Sequence, residues 1–155
     1  MDQLPWLPVH NDLGAALKEA RAERDLRRRL GKLADLANHR RDFIVTEKLD
    51  RYLSECLRQE GSERAVSELQ LNPCRLAVLA SHTVDHLVPA IRVAGLGRRL
   101  ALSAYVAPYG QYRQALLAGD PALGEFAPQF LLLALDSHDA RLDVPLDASD
   151  GDVEA

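Results

Sequence analysis

The stretch RLAVLASHTVDHLVPA, residues 75–90, decides how this chain is expected to fold. Its first seven residues, 75–81, form an apolar run that is typical of a buried strand. The polar cluster after the run leads into a predicted helix, with His82, Asp85 and His86 in its first turns. Open α/β folds bind their ligands at the carboxyl ends of parallel strands. The stretch therefore predicts where a site lies, at the carboxyl end of the strand, but it does not by itself identify the reaction.

Two further apolar runs follow, LALSAYVAP at 100–108 and PQFLLLALDS at 128–137, and helical patterns separate the three runs. Their spacing suits successive strand–helix–strand units, and near-continuous apolar runs are typical of parallel strands buried on both faces. The first crossover helix is expected to begin near Thr83, and the second to follow YGQYRQALLAGD, residues 109–120. We therefore predict an α/β fold, in which a helical N-terminal part precedes a small three-stranded parallel sheet with crossover helices.

Three segments are expected along the chain. Residues 1–72 are predicted to form a helical lead-in, and residues 73–140 the parallel α/β unit. Residues 141–155 form an acidic tail that we expect to be flexible. Since three parallel strands leave an exposed edge, that edge is expected to be covered by the N-terminal helices, by a partner or by the remainder of a longer ancestral protein.

Two amphipathic helices are predicted in the lead-in. The first is capped by Asn11 or Asp12 and runs to about Asn38, with leucines at helical spacing. Thr46 is a candidate cap for the second, which Gly61 is expected to end.

The bulk composition is that of an acidic globular protein. The chain has 155 residues, of which 47% are hydrophobic and 27% are charged, and its net charge is −4. This length is enough for one domain with a core. The negative net charge argues against a nucleic-acid-binding protein, which usually has a positively charged surface. The arginines of RAERDLRRRLGK, residues 21–32, alternate with acidic side chains, so the block predicts a salt-bridged solvent face.

Localisation is predicted from what the sequence lacks. No segment approaches the roughly 20 apolar residues of a membrane span. The N-terminal MDQLPWLPVHND has an acidic residue at position 2 and no basic region, unlike a signal peptide. Cys56 and Cys74 show no metal-ligand spacing, and Cys56 lies in a helical pattern where a small buried residue is expected. We predict a cytoplasmic protein that binds neither membrane nor nucleic acid and uses no cofactor.

Three segments, SHTVDHLVPAIRVAGL at 81–96, YVAPYGQYRQALL at 105–117 and FAPQFLLLALD at 126–136, together resemble the N-terminal region of the FkbH-like proteins. This family is subfamily IIIC of the haloacid-dehalogenase superfamily. NHRRDFIVTEKLDRYL, residues 38–53, is similar to its helical lead-in, and the resemblance covers about Leu4 to Pro145. It implies a role in polyketide-type biosynthesis, in which a glyceryl group moves from a phosphorylated glycolytic intermediate onto an acyl carrier protein.

The family's phosphatase-like domain carries an Asp-x-Asp motif that supplies an aspartyl nucleophile and binds Mg²⁺. No such motif follows a strand in this sequence, so we expect a standalone or truncated FkbH-like N-terminal domain. The layout is also similar to SGNH-type hydrolases, which implies a partial flavodoxin-like or SGNH-like unit. In that comparison Ser81 occupies the place of the nucleophile, Gly110 that of the glycine after the second strand, and Asp136 the loop after the third. The late Asp-x-x-His pair of that pattern has no counterpart, because no histidine follows His138.

The candidate catalytic residues are Ser81, His82, His86 and Asp136. A serine nucleophile needs a histidine within hydrogen-bond reach, whereas a serine at a helix start usually caps the helix; we favour capping by Ser81 or Thr83. Two histidines four residues apart on a helix meet the first requirement of a zinc pair. A third ligand is not visible in the sequence, since His138 could supply one only if the third strand neighbours the first, and no metal site is predicted. Asp136 is expected to cap a helix rather than to orient a catalytic group.

The candidate binding residues are Thr83, Asp85, Tyr109, Gly110, Gln111, Tyr112 and Arg113. Most lie in PYGQYRQ, residues 108–114, where Gly110 permits a backbone turn that other residues resist. Polar and aromatic loops at strand ends often carry function, so this loop is expected to contact a phosphopantetheine arm or an acyl group. The alternative is a loop that is packed by its own aromatic rings.

Three hypotheses remain open. The preferred one is a binding module that works beside an acyl carrier protein or a separate catalytic domain. The second is an SGNH-like acyl or glyceryl transferase, or an esterase, that uses Ser81. The third is an inactive remnant of a longer protein. A homo-oligomer is compatible with each of them.

Overall fold

The computed structural model describes residues 6–137. His138 and the predicted acidic tail at 141–155 lie outside the described residues. The helices are α1 (Leu13–Ala22), α2 (Leu26–Leu36), α3 (Phe43–Leu57), α4 (Ser62–Glu68), α5 (Leu87–Leu96), α6 (Tyr112–Gln114) and α7 (Pro121–Phe126). The strands are β1 (Asn72–Ala80), β2 (Leu100–Val106) and β3 (Phe130–Ala134), and a π-helical turn, Ala115–Gly119, follows α6 directly. The predicted α/β fold is confirmed: N-terminal helices precede a three-stranded parallel sheet with intervening helices.

The sheet has the order β2-β1-β3, so β1 is its central strand. Both pairings are parallel, and Leu76 of β1 lies opposite Ala104 on one side and Phe130 on the other. Helix α5 covers the face that carries Leu100 and Leu102, which approach Gly95. The opposite face is covered near its carboxyl end by α6 and the π-helical turn. The two connections therefore cross the sheet on opposite faces, as in doubly wound α/β folds.

The long first helix predicted to run to Asn38 is divided into α1 and α2. Glu23 has extended backbone angles, and Asp25 accepts a hydrogen bond from the backbone N–H of Arg28 at 2.8 Å, which caps α2. The guanidinium of Arg29 donates to the carbonyl oxygen of Glu23 and holds the break. Local side-chain hydrogen bonds of this kind offer the backbone an alternative to a continuous helix.

Helix α3 begins four residues earlier than it would if Thr46 capped it, as predicted. The side chain of Asp42 accepts from the backbone N–H of Val45 at 2.8 Å and is the cap, while the Thr46 hydroxyl donates to the carbonyl oxygen of Asp42. Aspartate and threonine are both good caps, so the sequence alone did not separate them.

The prediction for the first crossover helix is also wrong at its start. Helix α5 begins at Leu87, not near Thr83, and the residues between β1 and α5 are not helical. A helix from Thr83 would place Pro89 in its interior, where proline breaks the hydrogen-bond ladder. With the start at Leu87, Pro89 lies in the first turn, where its missing N–H costs nothing.

The charged block at 21–32 forms ion pairs between helices, as predicted. Lys32 of α2 lies 2.7 Å from the carboxylate of Glu19 in α1, and Arg27 lies 3.5 Å from that of Glu68 in α4. The hydrogen bond between the first pair lowers the pKa of Glu19 and raises the pKa of Lys32. Cys56 is buried in the core and carries a free thiol. Within residues 6–137, no helix combines the length and apolarity needed to cross a membrane.

The largest core cluster joins the helical lead-in to the sheet unit. Buried leucines of α1, α2 and α3 pack together with Val93 and Leu96 of α5 and with Ala101 of β2. At the same interface, Arg92 of α5 donates two hydrogen bonds to the carboxylate of Asp50 in α3, at 2.7 and 2.6 Å. Asp50 is the one charged residue that is buried in the described part of the chain. The ion pair therefore aligns α3 with α5.

We expect Asp50→Asn to lower the free energy of unfolding by about 3 kcal/mol, because it leaves the half-buried Arg92 without its counter-charge. Urea unfolding at neutral pH measures the effect. The matched control is Glu19→Gln, which breaks the exposed pair with Lys32 and should cost much less stability than Asp50→Asn, because solvent screens exposed charges. Equal losses in the two variants would contradict the structural role of the buried pair.

A second test concerns the close approach of α5 to the α2–α3 connection. A Cβ on Gly97 would lie 2.8 Å from Oδ1 of Asn38 and 3.1 Å from the carbonyl oxygen of Ala37. We expect Gly97→Ala to lower the unfolding free energy by about 1–3 kcal/mol, since backbone must move. The control is Gly95→Ala on the same helix, where the nearest atom lies at 3.6 Å. This change should be neutral or stabilising, because alanine favours helix by about 1 kcal/mol.

Candidate functional site

The loops after β1 and β2 meet at the carboxyl edge of the sheet and enclose a cleft of about 240 Å³. We call it the strand-end cleft. It is lined by His82, Thr83, Val84, Asp85, Val106, Ala107, Pro108 and Tyr109. Its walls come from the two chain segments that follow neighbouring parallel strands, which is where the sequence predicted a site. Polar groups on one wall thus face an aromatic residue on the other.

Ser81 does not cap α5, contrary to the preferred prediction. Its hydroxyl oxygen accepts a hydrogen bond from the backbone N–H of Asp136 at 2.9 Å, and its own N–H donates to the carbonyl oxygen of Ala134 at 3.1 Å. His86 occupies the N-cap position of α5 and makes no side-chain capping bond. Ser81 therefore joins the end of β1 to the end of β3.

His82 lines the cleft, whereas His86 lies at the start of α5. In the described part of the chain, no histidine ring makes a hydrogen bond to the Ser81 hydroxyl. His82 lies in the non-helical loop, so it does not share a helix face with His86 as a zinc pair requires. Among residues 6–137, no group of three or more histidine, cysteine or acidic side chains is placed to hold a metal ion.

The loop after β2 divides into an exposed part and an anchored part. Gly110 has a φ of +70°, and the N–H of Gln111 donates to the carbonyl oxygen of Pro108 at 3.0 Å, which closes a turn. Tyr109 before the turn is 75% exposed and lies at the cleft. Tyr112 after the turn is buried against Leu79 of β1. The two tyrosines of the motif consequently have different surroundings.

Arg113 and Tyr112 form a unit of their own. The guanidinium Nε of Arg113 donates to the Tyr112 hydroxyl at 2.8 Å, and its carbon atom lies 5.6 Å from the centre of the same ring. The buried ring thus keeps its hydroxyl paired, as buried tyrosines usually do. Tyr112 packs the loop against the sheet, as the alternative of a loop packed by its own aromatic rings expects, whereas Tyr109 is exposed.

Sequence reasoning missed a second cavity of about 320 Å³ on the far side of this loop. It is lined in part by Tyr105, Pro108, Gln111 and Asp120. The Tyr105 hydroxyl donates to Oδ2 of Asp120, while Oδ1 accepts from the N–H of Ala122 and caps α7. An aspartate before a proline at a helix start is a capping signal, so the sequence did contain the clue. The hydrogen bond lowers the pKa of Asp120 and raises the pKa of Tyr105.

Apart from His86 at the N-cap position of α5, the predicted residues fall into three places. His82, Thr83, Asp85 and Tyr109 line the strand-end cleft. Ser81 and Asp136 lie together at the ends of β1 and β3. Gly110, Gln111, Tyr112 and Arg113 build the turn and its support. Comparison with protein-family models, with curated proteins and with solved structures finds no match for this chain.

The hydrogen bond from Tyr105 to Asp120 predicts a measurable effect on the pKa of Asp120. We expect Tyr105→Phe to raise the pKa of Asp120 towards its ordinary value, because the ionised carboxylate loses a donor. Carboxyl-carbon NMR titration measures this value, and Tyr109→Phe should leave it unchanged. Since the folded-state pKa is lowered, the contribution to stability is present at neutral pH and disappears as the pH falls through that pKa. The stability difference between wild type and Tyr105→Phe should therefore shrink in acid; a constant difference would contradict the assignment.

Proposed function

We propose that this chain is an FkbH-like N-terminal domain that binds the acyl or glyceryl group of an acyl carrier protein. It would act in loading that unit during polyketide-type biosynthesis, as a binding module beside a separate catalytic domain. Such pathways operate in the cytoplasm, which is where we place the protein. The observation that carries the proposal is the strand-end cleft, formed between the segments that follow β1 and β2. Ligands of open α/β sheets bind at this edge.

The size of the cleft favours a small tethered group. About 240 Å³ lies below the range of about 300–1,000 Å³ that is common for pockets holding drug-sized ligands. A short acyl or glyceryl unit at the end of a phosphopantetheine arm needs less space than a free cofactor. The polar wall supplies the Thr83 hydroxyl and the Asp85 carboxylate for glyceryl hydroxyls or amide N–H groups, and the exposed ring of Tyr109 supplies an apolar surface for the arm.

The hydrogen bonds of Ser81 support binding over catalysis. A serine nucleophile needs a base that removes its proton. The Ser81 oxygen instead accepts the N–H of Asp136, and none of the described histidine rings is bonded to it. The SGNH-like transferase or esterase therefore remains the second candidate, and the inactive remnant the third.

Binding of acetyl-pantetheine and glyceryl-pantetheine tests the proposal. We expect amide NMR shifts to change at residues 82–85 and 106–110, and to be small elsewhere. Tyr109→Ala should weaken binding about five- to tenfold, as expected for the loss of an aromatic contact worth about 1 kcal/mol. The control is Leu117→Ala, which removes another exposed apolar side chain and should leave the affinity unchanged. No binding to the folded protein would overturn the proposal in favour of the remnant.

Ester hydrolysis separates the binding module from the enzyme. With a fluorogenic short-chain ester, the proposal predicts no turnover that depends on Ser81. Turnover by the wild type that is lost in Ser81→Ala would establish a serine nucleophile and overturn the binding module. Because the Ser81 oxygen accepts a backbone N–H, thermal unfolding must show that the variant remains folded.

A further inference from the structure

Strand β3 is an edge strand whose side chains are exposed on both faces of the sheet. Phe130, Leu131, Leu132 and Leu133 are 62%, 43%, 38% and 47% exposed. The sequence predicted a strand buried on both faces, and this expectation is wrong for β3. The N-terminal helices were one of three candidates to cover the open edge, and they pack instead against α5 and around Ala101 of β2. An uncharged apolar strand with an unpaired edge is a ready template for another strand.

The register shows which backbone groups of β3 have no partner strand among residues 6–137. Ala77 and Leu79 of β1 lie opposite Leu131 and Leu133, and the N–H of Ser81 donates to the carbonyl oxygen of Ala134. In a parallel ladder, successive residues direct their N–H and C=O groups alternately to the two sides. The even-numbered residues of β3 therefore bond to β1. The N–H and C=O groups of Leu131 and Leu133 point to the open side.

We propose that two copies of this chain associate by antiparallel pairing of their β3 strands about a two-fold axis at Leu132. In this register Leu131 of each copy lies opposite Leu133 of the other, and the two pairs exchange four N–H···O hydrogen bonds. Leu132 lies opposite Leu132 of the second copy in the narrow, non-hydrogen-bonded position. The two sheets then form one sheet with six strands, in the order β2-β1-β3-β3-β1-β2.

Charge favours a second copy as the occupant of this edge. No charged residue lies between Gln129 and Leu135, so the strand can face itself without like-charge repulsion. Natural edge strands are usually protected by lysine, proline or inward charges, and β3 carries none. The chain's own sequence at 138–155 is a poor alternative. No stretch of more than three residues there lacks both an acidic residue and proline, which suits neither a strand nor an apolar edge.

The size of the contact predicts a reversible dimer. A five-residue strand buries less than the roughly 800 Å² per partner of a standard stable interface. Association should therefore depend on concentration. Because the pairing is antiparallel, the strand-end clefts of the two copies lie at opposite edges of the joint sheet. Dimer formation thus leaves each cleft open, and its test does not depend on the proposed carrier-protein function.

Sedimentation velocity over micromolar to submillimolar concentrations tests the association. The wild type should shift from monomer to dimer as concentration rises. Leu132→Lys should abolish the shift, because it places two ammonium groups against each other at the axis. The matched control is Leu117→Lys, which adds the same charge at a side chain that is 88% exposed and should dimerise like the wild type. A monomer at every concentration, or a dimer that survives Leu132→Lys, would overturn the proposal.

A cysteine at the axis tests the register directly. Opposed residues at non-hydrogen-bonded positions have Cβ atoms about 4.5–5.5 Å apart, close enough for a disulfide after a small shift. Under mild oxidation Leu132→Cys should form a covalent dimer, whereas Leu117→Cys should form little. The native thiols of Cys56 and Cys74 are buried and should not interfere. Equal cross-linking of the two variants would contradict pairing at β3.

Discussion

The buried ion pair between Asp50 and Arg92 is the interaction on which the arrangement of the layers depends. It fixes α3 against α5, and α5 in turn covers one face of β1 and β2. A buried charge tolerates little displacement, because separating the two groups leaves each without compensation. The pair thereby aligns a helix of the lead-in with the sheet, and the apolar contacts around Val93 and Leu96 add the larger share of burial. The strand ends, and the cleft between them, follow from this alignment.

Much of the fold was predictable from the sequence because apolar runs at regular spacing carry the information for parallel strands. The strands, their order of appearance and the helical lead-in were expected from the pattern alone. The start of α5 was misplaced because Thr83 is a good cap, and the constraint that decided against it came from Pro89 further along the chain. The role of Ser81 could not be predicted, since its partner Asp136 follows β3, a strand whose position beside β1 is set by tertiary structure. An apolar run also does not reveal what covers it, which is why the exposure of β3 was missed.

The candidate site shows the same division between local and non-local information. The turn at Gly110 was expected, because few residues other than glycine adopt a positive φ easily. The separate roles of Tyr109 and Tyr112 were not expected, since both residues belong to one short motif. Their difference arises because α6 and the π-helical turn direct Tyr112 onto Leu79 and leave Tyr109 at the cleft. The proposed binding role therefore rests on Tyr109, whereas Tyr112 belongs to the core.

The strand order β2-β1-β3 has a consequence for synthesis on the ribosome. Chains emerge from their N-terminus, so β1 and β2 can pair before β3 has left the ribosome. Until then, the side of β1 that later binds β3 presents unpaired backbone groups beside the most deeply buried residues of the sheet, among them Leu79. An open apolar edge of this kind invites pairing with neighbouring nascent chains. The interval between the emergence of β2 and that of β3 is thus the stage of translation at which this edge of β1 is most open to other chains.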